Sequence, residues 1–243
     1  MTKGIFIVGS DTNVGKTVVS AGLLYLLRRR GFNACYFKPI LSGAVYREDR
    51  LIPGDTEFVK HVAELYEDNA LLTPFSFKAP LSPHLAARLE GKSIDVKIIK
   101  NSLHIIAQKY DYIIAEGCGG LAVPLNEDFY MLYDFLKEVD MNIILVTRSG
   151  LGTINHTTLT VKYAQHLGLK VKGIIVNGYE GTFAEDDNIA AVQKTTKVPV
   201  LAVIESMENI DTEKMQAGKI KEVFEKQVDI QKIFEVMGDM NNG

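Results

Sequence analysis

The amino-acid sequence predicts an α/β fold with a single domain, a mainly parallel sheet and helices on both faces. Apolar runs of strand length alternate along the chain with amphipathic segments of helix length. The apolar runs have no polar face, which is typical of strands that are covered on both sides. No composition break, flexible linker or internal repeat divides the 243 residues, so we expect one domain over residues 1–243.

The predicted elements follow one another in a regular order. The first strand, Gly4–Val8, precedes a helix, Thr17–Arg30, that closes on basic residues and Gly31. The other predicted strands are Ala34–Lys38, Tyr112–Ala115, Ile143–Thr147, Val171–Val176 and Val200–Ile204. The other predicted helices are Asp55–Tyr66, Pro83–Leu89, Ile94–Lys109, Leu132–Glu138, Thr153–Leu167 and Asn188–Thr196. Leu71–Phe77 is predicted to be irregular or extended, and a charged, helix-prone tail covers about residues 211–243.

Composition and charge exclude several classes of protein. The formal net charge is −3, so the chain has no basic footprint for nucleic acid. No apolar stretch reaches bilayer length, and the N-terminus opens with a strand pattern. We therefore expect a cytoplasmic protein that binds neither nucleic acid nor membrane. Cys35 and Cys118 are too few for a disulfide framework or a zinc site, and we expect both to be small buried residues.

A phosphate-binding loop is predicted between the first strand and the first helix. Residues 9–17 read Gly-Ser-Asp-Thr-Asn-Val-Gly-Lys-Thr. Glycines let backbone N–H groups turn toward a polyphosphate, and the helix start adds about half a positive charge. Lys16 is expected to bridge the outer phosphates and Thr17 to bind magnesium. The loop is one residue longer than the general pattern, but the flanking strand and helix favour a P-loop nucleotide-binding domain over a chance turn.

Two carboxylates are candidate ligands of the magnesium ion. Asp55 follows Pro53-Gly54 beyond the second strand, and Glu116 ends a buried strand just before a glycine cluster. Magnesium that is bound to phosphates needs further oxygen ligands, and an unpaired carboxylate at the end of a buried strand is costly. Asp55 also fits a helix N-cap, which does not exclude metal binding.

Lys38 is a candidate catalytic residue beside Lys16. It ends the second strand and is followed by Pro39, so its ammonium is expected in the same crevice as that of Lys16. Two ammoniums tolerate each other when anionic groups lie between them, and phosphates plus a carbamate would supply that charge. A solvated surface lysine is the alternative.

A second helix start is a candidate anion site. Residues 150–156 read Gly-Leu-Gly-Thr-Ile-Asn-His and follow a strand. The free N–H groups of such a start can hold a carboxylate, but the spacing alone equally fits an ordinary helix start. His84 and His156 are candidate ligands or acid–base groups, although single histidines are more often structural.

Five sequence blocks together resemble dethiobiotin synthetase. They are Gly-x-Asp-Thr-x-Val-Gly-Lys-Thr at 9–17, Lys-Pro-x-x-Ser-Gly at 38–43, Ser-Pro-His at 82–84, Glu-Gly-x-Gly-Gly at 116–120 with Val-Pro-Leu at 123–125, and Leu-Gly-x-Ile-Asn-His at 151–156. The blocks occur in the family's order and span residues 4 to about 205. The extra residue in the phosphate loop is itself the family's form.

The resemblance implies a homodimer that converts 7,8-diaminononanoate, CO2 and ATP into dethiobiotin, with the substrate site near the subunit interface. It implies Lys16 and Lys38 as catalytic residues, and Mg2+ held by Thr17, Asp55 and Glu116. The implied substrate contacts are Ser42, Gly152, Thr153 and Asn155. The implied nucleotide contacts are Thr12, Asn13, Val14, Gly15, Lys16, Thr17, Val18, Asp55, Glu116, Gly117, Cys118, Gly119, Asn177, Ile204, Glu205 and Ser206. We expect the reaction to pass through a carbamate and a carbamic–phosphoric anhydride.

The chain departs from the family pattern at three places. Asn13 stands where several relatives have Glu, Asn177 is followed by Gly178 rather than Asp, and Glu205-Ser206 replaces a segment that often contains Pro. The last two segments resemble the region that reads the base. Two other classes compete: an amidating ligase of the cobyrinic acid diamide synthase type, which usually needs a glutaminase domain, and a partitioning or septum-placing ATPase, which generally has an additional early lysine in the phosphate loop.

Overall fold

A computed structural model describes residues 2–47 and 50–240 of the chain. Within these ranges the strands are β1 Lys3–Gly9, β2 Ala34–Phe37, β3 Ile40–Ser42, β4 Val45–Arg47, β5 Arg50–Ile52, β6 Phe75–Phe77, β7 Tyr112–Glu116, β8 Asn142–Arg148, β9 Val171–Tyr179, β10 Val200–Glu205, β11 Ile210–Asp211, β12 Gln216–Ala217 and β13 Gly238–Asp239. The helices are α1 Lys16–Arg29, α2 Gly54–Ala63, α3 Asn69–Leu72, α4 Pro83–Leu89, α5 Val96–Lys109, α6 Leu132–Val139, α7 Thr153–His166, α8 Phe183–Thr196, α9 Ile220–Gln227 and α10 Ile230–Val236.

The central sheet confirms the predicted fold class. Six parallel strands lie in the order β10-β9-β8-β1-β7-β2, and these are the six strands that the sequence predicts. Consecutive residues of β1 from Gly4 to Gly9 are buried, so both faces of this strand are covered. Helix α1 packs against β1, β2 and β7, and α7 packs against β8 and β9.

The C-terminal segment belongs to the same packed structure. The short strand β13 pairs antiparallel with the start of β1, where Gly4 lies opposite Gly238. Helix α9 packs against α1, and the ring of Phe224 fills the space above Gly22, where a Cβ would come within 2.3 Å of a ring carbon. The predicted helix-prone tail therefore contains α9 and α10 with a short β11–β12 ribbon before them; residues 241–243 lie outside the described ranges.

Several element boundaries differ from the sequence prediction for local reasons. Helix α8 begins at Phe183, five residues before the predicted start, because Thr182 and Glu185 form a capping box. The Leu71–Phe77 segment divides into the end of α3 and the strand β6, which pairs with β3. The β3–β6 pairing lies outside the main sheet, and its strands are too short to show the alternation of apolar and polar residues that predicts a strand.

No helix in the described part of the chain is long and apolar enough to span a bilayer.

We expect Phe224→Ala to lower the free energy of unfolding by about 3–5 kcal/mol, because its fully buried ring packs against α1. Phe183→Ala is the matched control, since that ring is 87% exposed, and its effect should stay within about 0.5 kcal/mol. Urea unfolding measures both. A loss below about 1 kcal/mol for Phe224→Ala would contradict the packing of α9 on the core.

Candidate active site

Three neighbouring strands bring the predicted site residues to one edge of the sheet. Strands β2, β7 and β1 lie side by side, and each is followed by, or ends in, a charged or glycine-rich segment. Lys38 follows β2, Glu116 ends β7, and the phosphate loop follows β1. Because the strands are parallel, these residues meet at their common carboxyl end, which we call the carboxyl edge.

The phosphate loop has the backbone conformation that its sequence requires. Gly15 has φ +93°, and Asn13 has φ +58°, a region that Asn tolerates better than most residues. The side chain of Asn177 braces the loop from β9, because its Nδ2 donates to the Val14 carbonyl at 3.1 Å. A Cβ at Gly15 would lie 2.1 Å from that nitrogen, so this close approach requires glycine.

The side chain of Lys16 lies inside the phosphate loop and is weakly hydrogen-bonded to the described residues. The residue is buried, and its Nζ has one hydrogen bond to the described residues, a long one of 3.5 Å to the carbonyl of Asp11. Burial lowers the pKa of Lys16, the nearby charge of Lys38 lowers it further, and Glu116 partly opposes both effects. An ammonium in this position gains most from an arriving anion, as a phosphate-binding lysine would.

Lys38 bridges two carboxylates. Its Nζ donates to Asp55 Oδ2 at 2.5 Å and to Glu116 Oε1 at 2.7 Å. Burial alone would lower the pKa of Lys38, but the charges of Asp55 and Glu116 outweigh this effect and raise the pKa above its usual value. Burial likewise tends to raise the pKa of Asp55, and Lys38 reverses the effect, so that the pKa is lowered. Carboxylates of the protein itself therefore neutralise the charge of Lys38.

The residues at the carboxyl edge fit a magnesium ion that is also bound by phosphates. The Thr17 hydroxyl donates to Glu116 Oε1 at 2.9 Å, and Lys38, which Asp55 Oδ2 also contacts, donates to the same oxygen. Among the described residues, no group of three or more His, Cys, Asp or Glu side chains forms a metal site. One hydroxyl and two carboxylates are hard oxygen donors that suit magnesium, with phosphates completing the set.

Ser42 lies at the end of β3, four residues beyond Lys38, and its hydroxyl is buried with no hydrogen-bond partner among the described residues. A buried hydroxyl without a partner is unusual in a folded protein, and it retains the capacity to donate or accept a hydrogen bond. His84 Nδ1, on α4 against β3, is also buried without a partner in the described part of the chain, as are the hydroxyls of Ser20 and Tyr130.

The start of α7 is the segment that the sequence predicts to bind a carboxylate of the substrate. Gly152 has φ +91° and precedes the first residue of the helix. The Thr153 hydroxyl is buried and already bonded to the Arg148 carbonyl at 2.6 Å, so this side chain holds the turn. Asn155 and the neighbouring Leu151 are exposed. The structure therefore leaves Asn155 free to contact a ligand, and it places the helix start at the molecular surface.

The predicted base-reading residues lie together at the ends of β9 and β10. Ile204 pairs with Asn177 in the sheet and is fully buried, so its side chain belongs to the core. Glu205 and Ser206 are exposed, and the Ser206 amide donates to the Tyr179 carbonyl. Asn177 donates one amide hydrogen to the phosphate loop, so its side chain is held beside that loop.

The glycines that follow Glu116 are required by close packing and by backbone conformation beside the carboxyl edge. A Cβ at Gly117 would come within 2.9 Å of the Leu132 side chain, and Gly119 has φ +68°. Cys118 is only partly buried, unlike Cys35, so the expectation that both cysteines are buried is wrong for Cys118. Its thiol lies near Lys16 and Lys38, but burial dominates and raises its pKa.

Sequence reasoning missed two residues of this region. Tyr36 donates a hydrogen bond to Glu116, and Arg148 donates one to the Asn13 carbonyl at 2.9 Å. Side chains two residues apart on a strand share a face, so the spacing of Tyr36 and Lys38 was an available signal. No pattern indicates the contact of Arg148, since it depends on the order of β1 and β8. His156 is exposed, with its Nδ1 3.7 Å from Asp11.

The fold and the phosphate loop define a P-loop nucleotide-binding protein. The family model described as an AAA domain matches residues 3–214. The ATP-dependent dethiobiotin synthetase BioD of Clostridium kluyveri is 47% identical over 223 residues, covering 90% of this chain and 92% of the relative. The synthetase of the same name from Caldicellulosiruptor saccharolyticus is 47% identical over 239 residues, covering 97% and 98%. The chain belongs to the dethiobiotin synthetase family.

A solved structure supports the fold. The ParA family ATPase from Chlorobium tepidum aligns with a TM-score of 0.58 over 92% of this chain and 97% of the other, at 14% identity. At this identity the likeness shows the shared architecture and nothing about partitioning activity.

Lys38→Met should lower the free energy of unfolding at pH 7 by about 3–5 kcal/mol, because it leaves two carboxylates facing each other in a mostly buried site. The folded-state pKa of Asp55 is depressed, so its stabilising contribution is present above its ordinary pKa, near 4, and is lost as the pH falls below it. The difference between parent and variant should therefore shrink between about pH 5 and pH 3.

Lys170→Met is the matched control for that experiment, since Lys170 pairs with Asp140 at the surface and its removal should cost less than about 1 kcal/mol at any pH. Urea unfolding across the pH range measures both variants. A loss for Lys38→Met that is as small as the control's, or that does not change with pH, would contradict the bridging role of Lys38.

Proposed function

We propose that the protein closes a cyclic urea: it joins 7,8-diaminononanoate and CO2, at the expense of ATP, to give dethiobiotin for biotin biosynthesis. The names of its relatives support this ATP-dependent ligase activity. The observation that carries the proposal is the meeting of Lys16, Lys38, Asp55 and Glu116 at the end of a phosphate loop. We place the reaction in the cytoplasm.

The first chemical requirement is a neutral amine. An alkyl ammonium has a pKa near 10.4, so deprotonation at about pH 7.4 costs roughly 4 kcal/mol. The Lys38 ammonium is neutralised by two carboxylates, whereas Lys16 has no bonded carboxylate among the described residues. Lys16 therefore supplies the positive potential that favours the neutral form of a nearby amine. Asp55 and Glu116 thus supply negative charge beside Lys38, in addition to the phosphates and the carbamate that we expect near the two lysines.

The bond changes then follow in three steps. The neutral amine attacks CO2 and loses a proton, which gives a carbamate. A carbamate oxygen attacks the γ-phosphorus, and ADP leaves, which gives the carbamic–phosphoric anhydride. The second amine attacks the carbonyl carbon, phosphate leaves, and a proton is lost as the ring closes. The two amines sit on neighbouring carbons, so the last step has the high effective molarity of an intramolecular attack.

The residues of the carboxyl edge have distinct tasks in these steps. Thr12 to Val18 hold the phosphates, and Lys16 with Lys38 stabilises the charge on the transferring phosphoryl group. Thr17, Asp55 and Glu116 would hold magnesium, which would neutralise further phosphate charge. The hydroxyl of Ser42, which has no partner among the described residues, donates to the carbamate or to an amine of the substrate.

The substrate carboxylate is assigned to the start of α7 in a homodimer. Asn155 is exposed, and Leu159 and Tyr163 follow it at intervals of four on the same face of the helix. Leu159 is 62% exposed and Tyr163 is 40% exposed, which is unfavourable for an isolated chain. Burying this face against a second copy would bring one subunit's Gly152–Asn155 segment to its partner's diamine site.

The direct test supplies labelled bicarbonate, Mg-ATP and 7,8-diaminononanoate and looks for the label in a cyclic urea. We expect labelled dethiobiotin with ADP formed in equal amount, and a loss of at least about 100-fold in kcat for Lys38→Ala, which removes charge stabilisation in the transition state. Lys170→Ala, at a distant surface pair, is the control and should match the parent. ATP hydrolysis without labelled urea would contradict the proposal.

The position of the substrate carboxylate is tested separately. Asn155→Asp places a like charge at the proposed docking point, so the KM for 7,8-diaminononanoate should rise by about tenfold or more while the KM for ATP stays within about twofold. Asn101→Asp, which adds the same charge to an exposed residue of α5, is the control. An unchanged KM for the diamine in Asn155→Asp would remove the start of α7 from the substrate site.

A further inference from the structure

Tyr36 contacts the acidic group at the centre of the site from a fully buried position. It lies on β2, and its hydroxyl donates to Glu116 Oε2 at 2.7 Å across the pair of strands β2 and β7. Both side chains are completely shielded from solvent. The ring alone would fill this part of the core, as the neighbouring Phe37 does in its own place, so the hydroxyl needs a separate explanation.

The hydrogen bonds of Glu116 divide cleanly between its two oxygens. Oε1 accepts from Thr17 and from Lys38, the two groups that face the phosphate loop and the substrate segment. Oε2 accepts from Tyr36. A carboxylate that is held at one oxygen by a rigid aromatic donor cannot rotate freely, so its other oxygen keeps a fixed direction toward Thr17 and Lys38.

We propose that Tyr36 is a positioning residue: its hydroxyl fixes the Glu116 carboxylate so that Oε1 is presented to a divalent cation bound with the nucleotide. This inference rests on the proposed function only for the presence of a metal–nucleotide complex at the carboxyl edge. Tyr36 does not reach the reacting atoms, and it acts through Glu116.

Tyr36 contacts a carboxylate that is expected to hold the metal, and does not itself supply a metal ligand. Removing a residue that hydrogen-bonds a metal-binding carboxylate typically weakens metal binding by about 10–100-fold.

The test is Tyr36→Phe, which removes one oxygen and keeps the ring. Mn2+ is the probe, and its binding in the presence of ADP is followed by the electron paramagnetic resonance signal of the free ion, without the diamine. We expect Tyr36→Phe to weaken Mn2+ binding by about tenfold or more. In turnover, the KM for Mg2+ should rise and kcat should recover at saturating Mg2+, with the KM for the diamine unchanged.

Tyr112→Phe is the matched control, because Tyr112 begins the strand that Glu116 ends and its ring packs against Phe32 and Phe234. It should leave Mn2+ binding within about twofold of the parent. A double-mutant cycle with Glu116→Gln shows whether Tyr36 acts through the carboxylate. In the Glu116→Gln background, Tyr36→Phe should change Mn2+ affinity by less than about twofold.

Two outcomes would overturn the inference. One is a Tyr36→Phe protein that melts at a lower temperature yet binds Mn2+ as tightly as the parent, which would make the hydroxyl purely structural. The other is a tenfold loss that persists in the Glu116→Gln background. Since Mn2+ and ADP binding is measured without turnover, a protein that makes no cyclic urea would contradict the proposed function and leave this result intact.

Discussion

The ammonium of Lys38 between Asp55 and Glu116 is the interaction on which the rest of the site depends. Two carboxylates this close to one another, one of them fully buried, are tolerated because a cation lies between them. The same arrangement places Lys38, the Thr17 hydroxyl and the phosphate loop around a single carboxylate, Glu116. The arriving nucleotide therefore meets a site whose charges are already ordered, which reduces the reorganisation needed during phosphoryl transfer.

The fold provides this arrangement through strand order. Strand β7 lies between β1 and β2, so Glu116 at its end falls between the phosphate loop and Lys38. Strands β8 and β9 lie on the other side of β1 from β7. Asn177 on β9 contacts the backbone of the phosphate loop. Helix α9 packs against α1, with Phe224 against Gly22. Residues from distant parts of the sequence thus reach one crevice with short connections.

Much of this architecture could be predicted from the sequence because its signals are local. Continuous apolar runs identify the six parallel strands, and Gly9–Thr17 identifies the phosphate loop. The pairing of Lys38 with Asp55 and Glu116 was not predicted. It depends on the strand order β1-β7-β2, and no local sequence pattern indicates which strands are neighbours. The contact of Tyr36 with Glu116 has the same origin. The early start of α8 was available in the sequence, since Thr182 and Glu185 have the spacing of a capping box.

The most direct test of the central claim is a crystal structure of the protein with magnesium, a non-hydrolysable ATP analogue and 7,8-diaminononanoate. The account predicts that the outer phosphates contact Lys16 and that the metal contacts Thr17, Asp55 and Glu116. It also predicts that both amines lie within about 4 Å of Lys38 or of the γ-phosphate. Electron density for the diamine away from the carboxyl edge, or a Lys38 side chain turned toward bulk solvent, would contradict it.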